Sequence, residues 1–278
     1  MELFTCPLCA EPLSCTDRVL SCPANHCFDL AREGYVNLLP SHHRGSLAPG
    51  DTTEMISART DFLNSRHYEQ LVTALRTVLS GMQGSLVDLG CGEGYFTSSI
   101  AEVIPNVYGV DISRPAIKAA SKRSKSINLA VASTARLPMA DKTFELATTI
   151  MAPSTDDLPR ILKDGGKFIR VTPGPDHLIE LKEVLYTDSR AHTRASTDLP
   201  DFKLLKTERV TGSTELDANR IADLIAMTPM QFRTSRERQI KAGELGTQSF
   251  TLDFWIDIFE KDIKVSADPP TRKSLEKD

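Results

Sequence analysis

The stretch LVDLGCGEGYF, residues 86–96, decides the fold. An apolar run reaches Asp88, and three glycines follow before a helical stretch begins: Gly90, Gly92 and Gly94. Glycine at such a strand-to-helix turn lets a ligand approach the backbone closely. Dinucleotide sites use the spacing G-x-G-x-x-G, whereas these glycines run G-x-G-x-G and bulky Tyr95 comes next. The turn therefore favours a cofactor without a pyrophosphate.

Two acidic residues narrow the choice of cofactor. Asp111 ends the next apolar run, where a carboxylate can accept hydrogen bonds from both hydroxyls of a ribose. Asp88 at the end of the first run suits a cofactor with a cationic amino-acid part better than one with phosphates. Together they predict S-adenosylmethionine. The alternative is a tight turn with an incidental acid.

Short apolar β-runs alternate with helical stretches around this turn, which is typical of a doubly wound parallel sheet. We predict a Rossmann-like α/β domain of the class I methyltransferase type, with a mostly parallel seven-stranded sheet. The predicted strands are 86–89, 107–110, 127–131, 144–150, 167–171, 202–210 and a late antiparallel strand at 250–259. Apolar spacing predicts two helices over 54–80, starting at Asp51, and another around 221–227.

Composition is that of an ordinary globular protein, with 278 residues and 40% hydrophobic side chains. The net charge of -4 gives no global basic field for a polyanion. The N-terminus lacks the features of a signal peptide and the chain has no long apolar run, so we expect no membrane segment and a cytoplasmic location. The expected units are a zinc module (1–40), a linker with helices (41–83), the methyltransferase domain (84–262) and a disordered tail (263–278).

Five of the six cysteines lie in residues 1–40. Cys6 and Cys9 form C-x2-C, and Cys22 and His26 form C-x3-H. Two such pairs can supply four tetrahedral ligands, so we predict one structural zinc ion. Cys27 could replace His26 as the fourth ligand, and we favour His26.

Other segments leave alternatives open. Ser133, Thr134 and Arg136 lie where an adenine edge would be read, and helix capping accounts for them equally well. The segment IMAPS, 150–154, lacks the pattern typical of enzymes that methylate exocyclic amino groups, which points away from that chemistry. The basic residues of 112–125 are most simply a solvated helix face.

Taken together, these motifs resemble the bacterial 23S rRNA (guanine-N1)-methyltransferases over almost the whole chain. Further matching segments include CPLC, AREGYVNLLP, SRPAIKAASKR and TPGPDHLIELK. The resemblance implies methylation of N1 of a guanosine in a domain II hairpin of 23S rRNA, and a homodimer. It places the zinc ligands on Cys6, Cys9, Cys22 and His26, and the cofactor contacts on Tyr68, Gly92, Glu93 and His177. The chain departs from the family pattern at Met151 and Pro159.

The residues alone would make Tyr68 a packing aromatic and His177 a capping or surface residue. No side chain is identified as the acceptor of the guanine N1 proton. The candidate RNA surface is the zinc module with Arg32, His42, His43, Arg44 and Arg66. Two rival functions are a methyltransferase for small molecules and a zinc-dependent RNA-binding protein that binds the cofactor without turnover.

Overall fold

The structure, a computed structural model, describes residues 1–40, 50–187 and 192–263. Its strands are β1 Ser14–Thr16, β2 Val19–Ser21, β3 Cys27–Asp29, β4 Val36–Asn37, β5 Ser85–Leu89, β6 Asn106–Asp111, β7 Asn128–Val131, β8 Phe144–Ile150, β9 Leu162–Pro173, β10 Phe202–Leu216 and β11 Gln248–Lys261. Its helices are α1 Thr53–Asn64, α2 Glu69–Leu79, α3 Tyr95–Ile100, α4 Arg114–Arg123, α5 Leu158–Ile161, α6 Ile179–Leu185, α7 Ala218–Ala226, α8 Met230–Arg233 and α9 Arg236–Gly243.

The main sheet has the strand order β10-β11-β9-β8-β5-β6-β7-β4. Strands β4 to β9 of this sheet pair in parallel, and β11 and β10 add antiparallel strands at the far side. The doubly wound fold and the late antiparallel strand are therefore confirmed. The chain order reverses on the two sides of β5, and ligands of such sheets bind at the carboxyl ends of the strands where this reversal occurs.

The sheet has eight strands among the described residues, rather than the seven expected. The additional strand is β4, which belongs to the N-terminal module and pairs with β7 at the edge of the sheet. Covering an edge strand satisfies its free backbone groups and prevents pairing with other chains. A two-residue strand is too short to give an alternation pattern, so the sequence did not reveal it.

The N-terminal module is packed firmly against the larger domain. The ring of Phe4 lies edge-on to that of Tyr108, with centroids 5.3 Å apart. The backbone amide of Thr5 donates to the carbonyl of Pro138 at 2.8 Å, and that of Leu38 donates to the carbonyl of Val131 at 2.9 Å. The two units thus share one buried apolar cluster.

Helix α1 begins one residue later than the sequence predicted. The cap is Thr52, whose hydroxyl accepts a hydrogen bond from the amide of Met55. Asp51, the expected cap, instead forms an ion pair with Arg59 at 2.6 Å. Both residues can cap a helix, so the local sequence could not separate them.

The segment between β10 and β11 forms the helices α7, α8 and α9, and α7 packs against α1. Met227, at the end of α7, accepts a hydrogen bond through its carbonyl from Arg59. These helices therefore lie beside the site described next. None of the described helices is long and apolar enough to cross a membrane.

Candidate functional site

A cavity of about 900 Å³ opens at the carboxyl ends of the parallel strands. One side, the loop wall, follows β5, β6 and β7 and is formed by Gly90, Gly92, Glu93, Asp111, Ser133 and Thr134. The opposite side, the α6 wall, follows β8, β9 and α7 and is formed by Met151, His177, Lys182, Tyr186, His192, Phe232 and Arg233. Arg59 of α1 and Tyr68 at the start of α2 also line the cavity.

Two positions of the glycine loop cannot carry a side chain without distortion. Gly90 has a φ of +74°, and a Cβ there would lie 2.8 Å from the Cβ of Ala152. Gly94 has a φ of +82°, and a Cβ there would lie 2.8 Å from the Cβ of Ala120. Left-handed backbone and close approach both require glycine. Gly94 lies away from the cavity lining, so it shapes the turn and packs the helices rather than facing a ligand.

Asp111 is held in place at the edge of the cavity. Its carboxylate accepts hydrogen bonds from the backbone amide of Gly92 at 2.9 Å and from that of Ser113 at 2.8 Å. Burial raises the pKa of this carboxyl above its usual value, although both hydrogen bonds oppose the shift. Each carboxylate oxygen can accept more than one hydrogen bond, so acceptor capacity for a ribose remains.

Asp88 lies elsewhere than the sequence reasoning placed it. It is buried beneath the loop and does not line the cavity. Its oxygens accept hydrogen bonds from the hydroxyls of Thr97, at 2.6 Å, and Thr148, at 2.8 Å. Burial raises its pKa to about 6. Asp88 therefore links α3 to β8 beneath the loop. The four residues of β5 from Leu86 to Leu89 are all buried, so an alternating pattern could not show which way the Asp88 side chain points.

Glu93 is also buried, and its carboxylate forms an ion pair with Arg123 of α4 at 3.3 Å. Burial is the largest influence on its pKa and raises it. The ion pair fixes the loop to α4. Four residues of the basic stretch have similar structural contacts: Arg114 with Tyr35, Lys118 with Glu33, Arg123 with Glu93, and Lys125 with the carbonyl of Glu33. Much of that stretch thus joins α4 to its neighbours.

Tyr68 and His177, which are distant in sequence, meet at the junction of the two walls. The Tyr68 hydroxyl lies 3.4 Å from Nε2 of His177, and Nδ1 of His177 accepts from the amide of Asp253 at 3.3 Å. Burial lowers the pKa of His177 to about 3, so the ring is neutral at physiological pH. Because Nδ1 accepts, Nε2 carries the proton and donates to Tyr68.

Ser133 and Thr134 line the cavity, whereas Arg136 does not. The Ser133 hydroxyl also accepts from the amide of Ala135 at 3.2 Å, which is a turn contact rather than a helix cap, because residues 132–140 form a turn and no helix begins there. At the end of β8, Met151 adopts a left-handed φ of 53° and is 41% exposed. It projects as an apolar surface on the α6 wall.

Lys182 is a cavity residue that the sequence reasoning missed. It is 4% exposed, and its Nζ has no hydrogen-bond partner within the part of the chain that the structure describes. A signal was present, since Leu178, Leu181, Lys182 and Leu185 follow the i, i+3, i+4, i+7 spacing of a buried helix face. A lysine in such a stripe is unusual and calls for an explanation.

The four predicted metal ligands come together in the N-terminal module. The ligand atoms of Cys6, Cys9, Cys22 and His26 all lie within 4.8 Å of one another. Nδ1 of His26 is 3.4 Å from the sulfurs of both Cys6 and Cys22, and the sulfurs of Cys9 and Cys22 are 3.6 Å apart. A tetrahedral Zn²⁺ with sulfur ligands has edges of roughly 3.4 to 3.8 Å, so the donor set fits this ion. Cys27 is exposed and lies outside the group.

Comparisons with known proteins match both parts of the chain. Residues 4–47 match a zinc-ribbon family model described as RlmA, N-terminal, and residues 86–169 match the model described as Methyltransferase domain. The chain is 35% identical to the 23S rRNA (guanine(748)-N(1))-methyltransferase of Streptomyces fradiae, over 82% of this chain and 85% of that protein. It is 30% identical to YxjB of Bacillus subtilis, which carries the provisional name 23S rRNA (guanine-N(1)-)-methyltransferase, over 91% of this chain and 95% of that protein.

Proposed function

This chain belongs to the 23S rRNA (guanine-N1)-methyltransferase family, and on that premise we propose that it methylates N1 of one guanosine in a domain II hairpin of 23S rRNA. The observation that carries the proposal is the match to such relatives over at least 82% of the chain, across both the zinc ribbon and the cofactor domain. The cavity supports it, because one opening has Asp111 and the glycine loop on one wall and a separate, partly apolar wall opposite.

The cofactors are S-adenosylmethionine and one zinc ion. We propose that Cys6, Cys9, Cys22 and His26 hold the zinc, which leaves no open position and makes it structural. For S-adenosylmethionine we propose that Asp111 accepts the ribose hydroxyls and that the backbone of 90–93 approaches the methionine part. Tyr68 and His177 contact it from the junction of the walls, while Asp88 and Gly94 support the loop from beneath.

The chemistry that S-adenosylmethionine supplies is an electrophilic methyl group. The protein's contribution is to hold guanine N1 and that methyl at near-attack distance and in line. The two walls lie on opposite sides of β5. The loop wall is therefore available to S-adenosylmethionine and the α6 wall to the guanine. N1 lies on the Watson–Crick edge, so the guanosine must be released from any base pair before it binds in the cavity against the α6 wall.

We propose that the RNA backbone lies along the zinc module and the adjoining groove. This second cavity, of about 940 Å³, is lined by the basic residues Arg32, Arg114, Lys118, Lys122 and Arg123 and by the acidic residues Glu33, Asp61 and Glu93. Arg114, Lys118 and Arg123 already contact protein partners, so a phosphate would share these cations with them. Phosphate contacts of this kind give affinity without a basic net charge. Arg66 is exposed and pairs with Glu69. His42, His43 and Arg44, the other proposed contacts, lie outside the described residues, as does the tail from 264 onward.

We also propose a homodimer acting in the cytoplasm, on the strength of the family resemblance. Light scattering of the purified protein tests the first point, and a mass near 61 kDa, twice the chain mass of 30.6 kDa, is expected. A mass of one chain would contradict it.

The function is tested by offering labelled S-adenosylmethionine with 23S rRNA from cells lacking this protein, with a metabolite extract, or alone. Label should enter the rRNA only. Label in the extract would favour a methyltransferase for small molecules, and label in neither, with cofactor bound, would favour a binding protein without turnover. The variant Asp111→Ala is the matched control and should lose transfer.

A further inference from the structure

Lys182 is the least explained polar group in the cavity. Its side chain lines the α6 wall, yet its Nζ is buried without a hydrogen-bond partner among the described residues. Buried polar groups of folded proteins nearly always have partners, and a buried charged amine without one is costly. The neighbouring positions Leu181 and Leu185 are apolar, and an apolar residue would be expected here as well. The amine is therefore available to bond to a group that enters the cavity.

The surroundings hold this amine toward its neutral form. Burial is the largest influence on the pKa of Lys182 and lowers it, while the carboxylates of Asp176 and Asp253 act the other way. His177 and His192 face the same region, since a charge on Lys182 lowers the pKa of both rings. A neutral amine carries a lone pair that can accept a proton.

Other ionisable groups of the α6 wall are poorly placed to accept a proton. His177 uses Nδ1 to accept from Asp253 and Nε2 to donate to Tyr68. Burial raises the pKa of Tyr186, so its hydroxyl stays protonated. Arg233 has no acceptor atom. Lys182 and His192 remain. The ring of His192 contacts that of His177, whereas Nζ of Lys182 has no hydrogen-bond partner among the described residues.

We propose that Lys182 accepts the proton of guanine N1 during methyl transfer. This inference rests on the proposed function. The bond from N1 to the methyl carbon forms as the bond from that carbon to sulfur breaks, and the N1 proton passes to Nζ. The neutral amine becomes an ammonium ion, the sulfonium becomes a neutral thioether, and the methylated guanine leaves neutral. Charge and atoms balance without another reactant.

Three full-length variants test the assignment in single-turnover assays with 23S rRNA. Lys182→Met keeps the volume and removes the nitrogen, Lys182→Arg keeps a charge without a usable lone pair, and His192→Asn removes the rival base. General-base catalysis contributes about 10²–10⁴-fold, so both Lys182 variants should lose at least a hundredfold in the single-turnover rate constant. His192→Asn should lose less activity than either Lys182 variant, because it leaves the proposed base in place. Affinity for S-adenosylmethionine, measured by calorimetry, should be unchanged in all three.

The pH profile and the stability separate this role from a structural one. In the wild type, kcat should rise with pH to a plateau, and in Lys182→Met the plateau should give way to a rate that keeps rising as guanine N1 itself ionises. The melting temperature of Lys182→Met should match or exceed that of the wild type, because an unpartnered buried amine has been removed.

An active Lys182→Arg would overturn the inference in favour of a charge role, and weakened cofactor binding in Lys182→Met would overturn it in favour of a contact to S-adenosylmethionine. Full activity of Lys182→Met beside an active wild type would overturn the inference alone. A wild type that does not methylate 23S rRNA would overturn the proposed function and this inference with it.

Discussion

The two walls of the cavity are built in opposite ways. On the loop wall the polar groups are already bonded within the protein, as with Asp111, which accepts from two backbone amides, and Glu93, which pairs with Arg123. On the α6 wall the Nζ of Lys182 has no hydrogen-bond partner among residues 1–40, 50–187 and 192–263, Met151 is 41% exposed and Phe232 is 75% exposed. The acidic groups named on the loop wall thus find their hydrogen-bond and ion-pair partners within the protein. On the α6 wall, the Lys182 amine and the exposed apolar side chains are available to contact a ligand.

Loss of zinc should cause the largest change among these predictions, and the property that changes should be RNA methylation. Structural zinc contributes roughly 10–16 kcal/mol in comparable modules, so Cys22→Ser should unfold residues 1–40. We expect RNA methylation to fall at least a hundredfold, measured with labelled cofactor. No described residue of the module lines the cavity, so affinity for S-adenosylmethionine should stay within about threefold. Cys27→Ser is the control and should keep both zinc and activity. Equal loss of cofactor affinity and activity in Cys22→Ser would contradict the separation of the two functions.

A side chain at Gly90 should damage the loop wall itself. The left-handed backbone costs about 1–2 kcal/mol and the contact with Ala152 roughly 1–3 kcal/mol more, which predicts about a hundredfold weaker binding of S-adenosylmethionine in Gly90→Ala. Calorimetry measures the affinity. Gly81→Ala is the control, since Gly81 has a similar φ of +82° and an added Cβ there would meet no atom of the described segments within 4 Å beyond its chain neighbours. If both variants bind the cofactor equally well, the close packing of the loop is not what positions it.

A substitution at Phe232 tests whether the α6 wall binds the RNA base. Stacking of a base on an aromatic ring is worth about 1–3 kcal/mol, so Phe232→Ala should raise the KM for rRNA about tenfold. Its affinity for S-adenosylmethionine should not change. Ile240→Ala removes another exposed apolar side chain, 56% exposed and outside the cavity, and should leave KM unchanged. A similar KM change in both variants would show that general surface loss is responsible.

The smallest expected change is the pH dependence of the affinity for S-adenosylmethionine. The pKa of His177 is lowered to about 3, so its contribution to stability is complete above its ordinary pKa of 6.5 and is lost as the pH falls toward 3. Asp88, with a pKa raised to about 6, is mostly ionised above pH 7. The affinity for S-adenosylmethionine should therefore be flat from about pH 7 to about pH 8 in calorimetry. A tenfold change across that window would mean that another group of the loop wall titrates.

The two walls also differ in how far the sequence predicted them. The loop wall comes from one continuous motif at the end of a strand, so spacing alone predicted the glycine turn and the position of Asp111. The direction of Asp88 was missed, because a central parallel strand is buried on both faces and shows no alternation.

The α6 wall is assembled from segments around 150, 180 and 230, and no local pattern brings these together. His177 was selected only through the family resemblance, and Lys182 was not selected at all, although its place in an apolar stripe was a readable sign. The eighth strand was missed because two residues show no alternation and because its pairing joins Val36 to Ala130 across a long stretch of chain.

Primer extension across domain II of 23S rRNA tests the central claim most directly. A methyl group on guanine N1 blocks the Watson–Crick edge, so reverse transcriptase stalls one nucleotide before it. Cells lacking this protein should lose one such stop, the wild-type gene should restore it, and Asp111→Ala should not. A stop that persists in the deletion strain, or methylated RNA without a stop, would contradict the assignment of this protein as a guanine-N1 methyltransferase.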